Sequence, residues 1–254
     1  MFSFFKSQQS KQNRIIEFLS NQVVVDIHSH LLPGIDDGSP DIETSLFLIE
    51  ELQNIGFKKL ITTPHIRMEV YPNTPTIIRE KLADVKKAAL QKGLNIELYA
   101  SSEYYIDDNF TELLQREDII AFPQPRFILA EYPMIAPLMN FEQRVFEMTK
   151  RGYTPMIAHP ERYRYWHKTP EAFERLKDLG CLLQLNILSI EGYYGPDIKD
   201  CAKYLLKNKL YDLIGTDLHH ERHLGRLKKL GELNKEMQIL ENYNFKNKQL
   251  FMDF

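Results

Sequence analysis

The 254-residue chain predicts an α/β fold, a TIM-like barrel of seven βα units in a single domain. Three observations predict it. Short β-branched runs alternate with longer stretches of helical periodicity, the pattern of successive βα units around a parallel sheet. The runs are apolar at consecutive positions instead of at every second one, as strands covered on both faces must be. Composition is 43% hydrophobic and does not shift midway, and no internal repeat, low-complexity tract or Gly/Ser linker divides the core. A doubly wound open sheet is the second arrangement open to the same units.

The first strand is expected over Val23–Ile27, after an N-terminal extension of residues 1–22. Ser39 can cap the following helix, with Pro40 at its first position and Asp41 and Glu43 in its first turn. Its apolar face carries Ile42, Leu46, Ile49 and Leu52, and Gly56 follows near its end. Further strands are expected at Leu60–Thr63, Ile96–Ala100, Phe127–Ala130, Pro155–Ala158, Leu182–Leu185 and Leu213–Thr216. Helical patterns cover Thr76–Leu90, Phe141–Arg151, Pro170–Leu179, Ile198–Lys207 and Leu224–Tyr243.

Bulk properties exclude several classes. A formal net charge of −3 offers no basic field for nucleic acid. Two cysteines, Cys181 and Cys201, are too few for a disulfide framework and suit a reducing cytoplasm. No apolar run approaches the ~20 residues of a membrane helix, so no stable membrane insertion is expected. Phe2, Phe4 and Phe5 are interrupted by Lys6, a poor signal peptide, and terminal packing explains them better than a membrane surface. Oligomeric state leaves no signal.

The ionisable residues carry the functional argument. His28 and His30 follow the first expected strand and Asp37 lies in the loop beyond it. His65, Glu103, Glu131 and His159 follow the second to fifth strands, and Asp217 and His219 follow the seventh. Taken singly, each is an ordinary loop histidine or a helix-capping carboxylate. In a parallel barrel, however, all these strand ends meet on one face, where active sites are built. Five histidines and four carboxylates gathered there exceed one tetrahedral site, so two or three divalent ions are expected. This ligand mixture suits manganese or iron, with zinc as a further option. Roughly +4 to +6 of metal charge against about −4 from the carboxylates leaves an electropositive pocket for an anionic substrate.

Arg162, three residues beyond His159, and Arg222, three beyond His219, could clamp phosphate oxygens in a forked geometry. Surface ion pairs with Glu161 and Glu221 compete with that role, and Arg164 and Arg226 are substitutes. A cysteine-phosphatase mechanism is excluded, because the sixth residue after Cys181 is Ile187 and after Cys201 is Lys207. No P-loop, dinucleotide or serine-esterase motif occurs.

The motifs fall in a fixed order. They are Asp26-Ile27-His28-Ser29-His30, Ile35-Asp36-Asp37-Gly38, Thr62-Thr63-Pro64-His65, Ala130-Glu131-Tyr132-Pro133, Ala158-His159-Pro160-Glu161-Arg162 and Thr216-Asp217-Leu218-His219. The series resembles the polymerase-and-histidinol-phosphatase (PHP) superfamily. Within it, the series is most similar to the bacterial manganese-dependent protein-tyrosine phosphatases of capsule and exopolysaccharide synthesis. The resemblance implies a distorted barrel over residues 23–254 and three divalent metal ions, manganese in that family. It implies one ion on His28, His30, Glu103 and Asp217, a second on Glu103, Glu131 and His159, and a third on Asp37, His65 and His219. It also implies that Arg162 binds phosphate. Ser101-Ser102 stand where relatives often carry a glycine, and Arg222 is spaced differently from the family's second arginine.

The implied substrate is a phosphotyrosine protein, a bacterial tyrosine kinase of polysaccharide synthesis. The implied reaction is in-line hydrolysis by metal-activated hydroxide, with Arg162 neutralising equatorial oxygens and Asp217 and His219 at the reacting end. Tyr104, Tyr105, Tyr132 and Phe141 could stack on an aromatic substrate, though packing at the barrel rim is their ordinary role. Three rivals remain: a histidinol-phosphate-type small-molecule phosphatase, a metal-dependent amidohydrolase, and a barrel that has lost catalysis. Many amidohydrolases need a carbamylated lysine where this chain has Glu131. An intact ligand set argues against the inactive module.

Overall fold

A computed structural model describes residues 14–122 and 126–253. All strand pairings in it are parallel. One sheet has the order β1 (Val25–Asp26), β2 (Lys59–Thr62) and β4 (Glu97–Ala100). The other runs β3 (His65–Ile66), β5 (Glu103–Tyr105), β6 (Phe127–Glu131), β7 (Thr154–Ala158), β8 (Leu182–Asn186) and β9 (Leu213–Gly215). Helices α1 (Ile42–Asn54), α2 (Pro75–Lys92), α3 (Asp108–Gln115), α4 (Phe141–Lys150), α5 (Glu171–Asp178) and α6 (Pro196–Lys207) fill the connections. Three more, α7 (Glu221–Leu230), α8 (Asn234–Glu241) and α9 (Asn247–Phe251), close the chain.

Beyond each of the second and third expected strands lies a further short strand that the sequence did not show. Thr63-Pro64 separates β2 from β3, and Ser101-Ser102 separates β4 from β5. A proline cannot donate to a ladder, so the break at Pro64 follows from the sequence. Hydrogen bonds carry the pairing across the gaps, with Ser101 N donating to Thr62 O at 2.9 Å and Glu103 N to Pro64 O at 3.2 Å. The segment after β1 is bonded on both sides: Thr63 N donates to Ser29 O at 2.7 Å and Asp217 N to His28 O at 2.7 Å. Ser29 and Leu218 form a parallel bridge. The result is a mixed α/β domain of parallel sheets.

Alternation along the strands covers both faces. On β6, Ile128 and Ala130 join the large apolar cluster that includes Leu48, Leu52 and Val85 of the helices. Phe127 and Leu129 join a second cluster with Val25, Ile61, Met156, Leu213 and Phe251. Glu131 continues the face of Phe127 and Leu129, so this second cluster lies beneath the strand-end polar residues.

Several expected boundaries are corrected. Only Val25 and Asp26 of Val23–Ile27 are strand; Val23 ends a π-helical turn, Leu19–Val23, and Val24 has φ 66°. The apolar run is buried in either conformation, so its pattern could not separate them. Asp41, not Ser39, caps α1, its carboxylate accepting from Thr44 N at 2.8 Å. Ser39 and Pro40 precede the helix, and Ser39 N donates to His30 O at 3.1 Å to close the loop that carries Asp37. The single helix expected over Leu224–Tyr243 is two, divided at Gly231–Leu233, while α3 and α9 had no counterpart among the expected elements.

Part of the expected extension belongs to the packed domain. Ile15, Phe18 and Leu19 are buried, and Arg14 grips Glu241 through two contacts of 2.5 and 2.6 Å. Phe2, Phe4 and Phe5 lie outside the described residues. Among the described residues no helix is long and apolar enough to cross a membrane.

Candidate metal centre

The carboxyl ends of the parallel strands bring all nine predicted ligands together. Glu103 stands at the centre. Its Oε2 lies 3.2 Å from His28 Nε2, 3.4 Å from His30 Nε2 and 3.2 Å from His65 Nδ1. Its Oε1 lies 3.1 Å from His159 Nε2, which is 3.9 Å from Glu131 Oε1. Asp217 Oδ1 lies 3.3 Å from His28 Nε2 and 3.5 Å from His30 Nε2. Asp37 Oδ1 completes the rim, 3.6 Å from His65 Nε2 and 3.5 Å from His219 Nε2. Three groups have ligand atoms within 4.8 Å of one another: His28, His30, Glu103, Asp217; His30, Asp37, His65, His219; and His65, Glu103, Glu131.

These residues fit metal cations better than they fit each other. His28 Nε2, His30 Nε2 and Glu103 Oε2 are buried yet have no hydrogen-bond partner, although both imidazole nitrogens lie within 3.4 Å of the Glu103 oxygen. An unpartnered buried polar atom costs roughly 1–3 kcal/mol, so three converging on one point call for a ligand. The opposite ring nitrogens are satisfied. His28 Nδ1 meets Gln184 Oε1 at 2.8 Å, His30 Nδ1 meets Asp36 Oδ2 at 2.7 Å, and His219 Nδ1 meets Asp217 O at 2.8 Å. Such outer contacts fix the tautomer and aim the free nitrogen inward.

Without cations, protons must do the compensating. Burial works against a charged His28, yet Glu103 and Asp217 hold its pKa up at about 9. Burial works against Glu103 ionisation too, yet His28 and His65 hold it well below the carboxylate range. Burial and the Glu103 charge push Glu131 up to about 8. Burial, then Arg162, pushes His159 down to about 4. The centre therefore stores protons that cation binding would release.

Local backbone geometry supports this placement. His159 and Asp217 have φ of 30° and 50°, a region costly for non-glycine residues that turns each side chain off its strand end. Gly38 lets the Asp37 loop pass close, since a Cβ there would lie 2.2 Å from His30 O.

The arginines separate. Arg162 lines the cavity, donates to Asp217 Oδ2 at 3.1 Å, and lies 4.6 Å from the Tyr194 ring centroid. Arg222 is exposed over the Tyr193 ring, 5.6 Å from its centroid, and is not among the residues lining the cavity. Arg226 pairs with Glu191 at 2.6 Å and Arg164 lines a different depression. The cavity over the ligands has a volume of about 380 Å³. A larger concavity of about 870 Å³, lined by Lys58, Leu90 and Glu97, lies at the amino ends of the strands, away from every metal-capable group found among the described residues. Tyr104 and Tyr132 are core, the Tyr104 hydroxyl accepting from Ile120 N at 2.8 Å, and Phe141 packs on Trp166.

Sequence reasoning missed Asp36, Gln184 and Asn186. The first was visible as the neighbour of Asp37. Gln184 and Asn186 alternate within the otherwise apolar β8, which among the seven expected strands is the one followed by no candidate histidine or carboxylate. Asn186 Nδ2 donates to Asp217 Oδ2 at 2.7 Å, so the strand contributes orienting groups instead of ligands.

Parallel sheets bearing a histidine–carboxylate cluster at their carboxyl ends place the protein among α/β proteins built to hold metal ions. More narrowly, residues 24–245 match the family model "Capsular polysaccharide synthesis, CpsB/CapC", and the chain belongs to that family. Tyrosine-protein phosphatase YwqE of Bacillus subtilis (strain 168) is 27% identical over 197 residues, 78% of either chain. Tyrosine-protein phosphatase CpsB of Streptococcus agalactiae is 27% identical over 202 residues, 78% of this chain and 83% of the relative. A solved structure from the pair YwqE of Bacillus subtilis and CpsB of Streptococcus pneumoniae, described as unique metal-dependent tyrosine phosphatases, superposes with a TM-score of 0.74. It is 25% identical, covering 87% of this chain and 96% of that one. An amidohydrolase from Mycoplasma synoviae shares the fold alone, at a TM-score of 0.56 and 14% identity.

Proposed function

We propose that this chain is a metal-dependent tyrosine-protein phosphatase. It acts in the cytoplasm on a phosphotyrosine protein, a bacterial tyrosine kinase of polysaccharide synthesis. The carrying observation is the convergence of nine ligand side chains with three buried, unpartnered atoms at their focus. The named activity of the relatives supports it. In this reading the domain is a distorted (β/α)7 barrel whose core also takes in Ile15, Phe18 and Leu19 ahead of residue 23. Support comes from the Ser29–Leu218 bridge and the hydrogen bonds flanking it, which join first and last strands.

Three divalent ions, manganese in preference to iron or zinc, are assigned to three ligand sets. His28, His30, Glu103 and Asp217 hold one, and Asp37, His65 and His219 another. For the ion on Glu103 and Glu131, His65 Nδ1 and His159 Nε2 both lie near. A neutral imidazole has one lone-pair nitrogen. His65 Nε2 already faces Asp37, so His159 takes this place.

Bound ions supply Lewis acidity and lower the pKa of water to about 7. The chain's own groups do the rest. Arg162, held by Asp217 and seated over Tyr194, donates to phosphoryl oxygens and neutralises their charge. Asn186 restrains the same Asp217 carboxylate, which keeps Arg162 in register with the ligand layer. Phenolate, with a parent pKa of about 10, departs without a dedicated acid.

His159→Ala is the test. Phosphate release from phosphotyrosine peptide and from p-nitrophenyl phosphate should collapse with manganese present; undiminished turnover would sink the proposal.

A further inference from the structure

The geometry points to Arg67 as a specificity residue that receives an acidic side chain flanking the phosphotyrosine of the substrate. This rests on the phosphatase reading of the same cavity.

Cα register pairs His65 with Glu103 and Ile66 with Tyr104. Side chains alternate along strands, so Arg67 and Tyr105 share the face of His65 and Glu103. They stand two residues farther out, roughly 7 Å toward the cavity mouth. The Arg67 guanidinium carbon sits 4.2 Å from the Tyr105 ring centroid, a cation–π contact that seats its plane. The backbone is fixed as well: Arg67 N donates to Tyr71 O at 3.1 Å and Tyr71 N to Arg67 O at 2.6 Å. Tyr71 in turn stacks on ligand His65, with centroids 5.4 Å apart and planes 10° from parallel.

This guanidinium is held but not neutralised. Its Nε is buried without a hydrogen-bond partner, and among the described residues no carboxylate lies within ion-pair distance of it. Arg162, deeper in the same cavity, is compensated by Asp217. A fixed, uncompensated guanidinium presents a fork matched to a carboxylate. Val70 and Met134 line the same cavity and add apolar surface for the flanking residues. With phosphate at the ligand layer, the next layer out meets the residues that flank the phosphotyrosine.

The experiment compares two phosphotyrosine peptides, one with Glu on both sides of the phosphotyrosine and one with Gln. Manganese-loaded wild type, Arg67→Gln and Arg67→Lys are assayed, with p-nitrophenyl phosphate as the reference substrate without flanks. Wild type should prefer the Glu peptide about tenfold in kcat/KM, the worth of one charge-assisted contact. Arg67→Gln should bring the ratio to about one, and Arg67→Lys should keep part of it. Affinity for non-hydrolysable phosphonate versions of both peptides, measured by fluorescence anisotropy, should show the same pattern without turnover. Retention of the Glu preference in Arg67→Gln, or equal affinity of wild type for both phosphonates, would overturn the inference. Wild type releasing phosphate from no substrate while its phosphonate preference still depends on Arg67 would overturn only the phosphatase reading.

Discussion

Gln184→Leu separates stability from metal affinity. Gln184 Oε1 meets His28 Nδ1 at 2.8 Å and accepts from His159 N at 3.4 Å, while its Nε2 donates to Leu185 O at 2.6 Å. Leucine fills nearly the same volume but leaves His28 Nδ1 unpartnered in a buried site. One such loss costs roughly 2 kcal/mol, and the longer His159 contact adds little. For a chain of this size each kcal/mol lowers Tm by about 2–4 °C, so the metal-free variant should melt roughly 4–8 °C lower. The loss of the ring's orienting contact should weaken manganese binding about 10–100-fold. Calorimetric titration of manganese and thermal unfolding of the metal-free protein measure the two effects independently. Gln184→Glu keeps an acceptor for Nδ1–H and should retain most of the affinity. A lower Tm with unchanged manganese affinity in Gln184→Leu would show that Gln184 only fills space, and the orienting argument would fail.

Three further expectations follow from the structure. Arg162→Lys replaces a fork by a point charge and should lower kcat/KM for phosphotyrosine peptides by roughly 100-fold, with manganese content unchanged; a smaller loss than with Arg222→Lys would reverse their assignments. Burial pushes the Cys181 and Cys201 thiols up to about 12, so both should resist a thiol-reactive probe at pH 8 and react when the chain is unfolded. An unfolded thiol ionises near pH 8.5, whereas the native ones keep their protons. Unfolding above that pH therefore releases protons, and stability should fall between about pH 9 and 12. Rapid native labelling would contradict the burial of both sulfurs.

Legibility differed between levels. The cluster of candidate ligands could be read because all but Asp37, which sits in the loop after His30, are polar residues at or just past the end of an apolar run, and parallel strands must bring such ends together. The α/β class and the existence of most helices followed from periodicity. Boundaries did not. Val23-Val24-Val25 is apolar and buried whether it forms a strand or ends a π-turn, and Ser39 has the chemistry of a cap although Asp41 takes that place. The arginines were ambiguous for a similar reason: Arg162 and Arg222 each lie three residues past a ligand, yet one faces the cavity and the other solvent.

By itself the sequence determined which chemistry the protein carries, because residue type and strand-end position are local properties. Tertiary structure decided how that chemistry is arranged. Gln184, Asp36 and Asn186 hold candidate ligands up to 156 positions away, and Arg67 meets Tyr105 only because two strands lie side by side in one register. Those contacts depend on relative strand placement, a distance between segments that no single stretch of chain encodes.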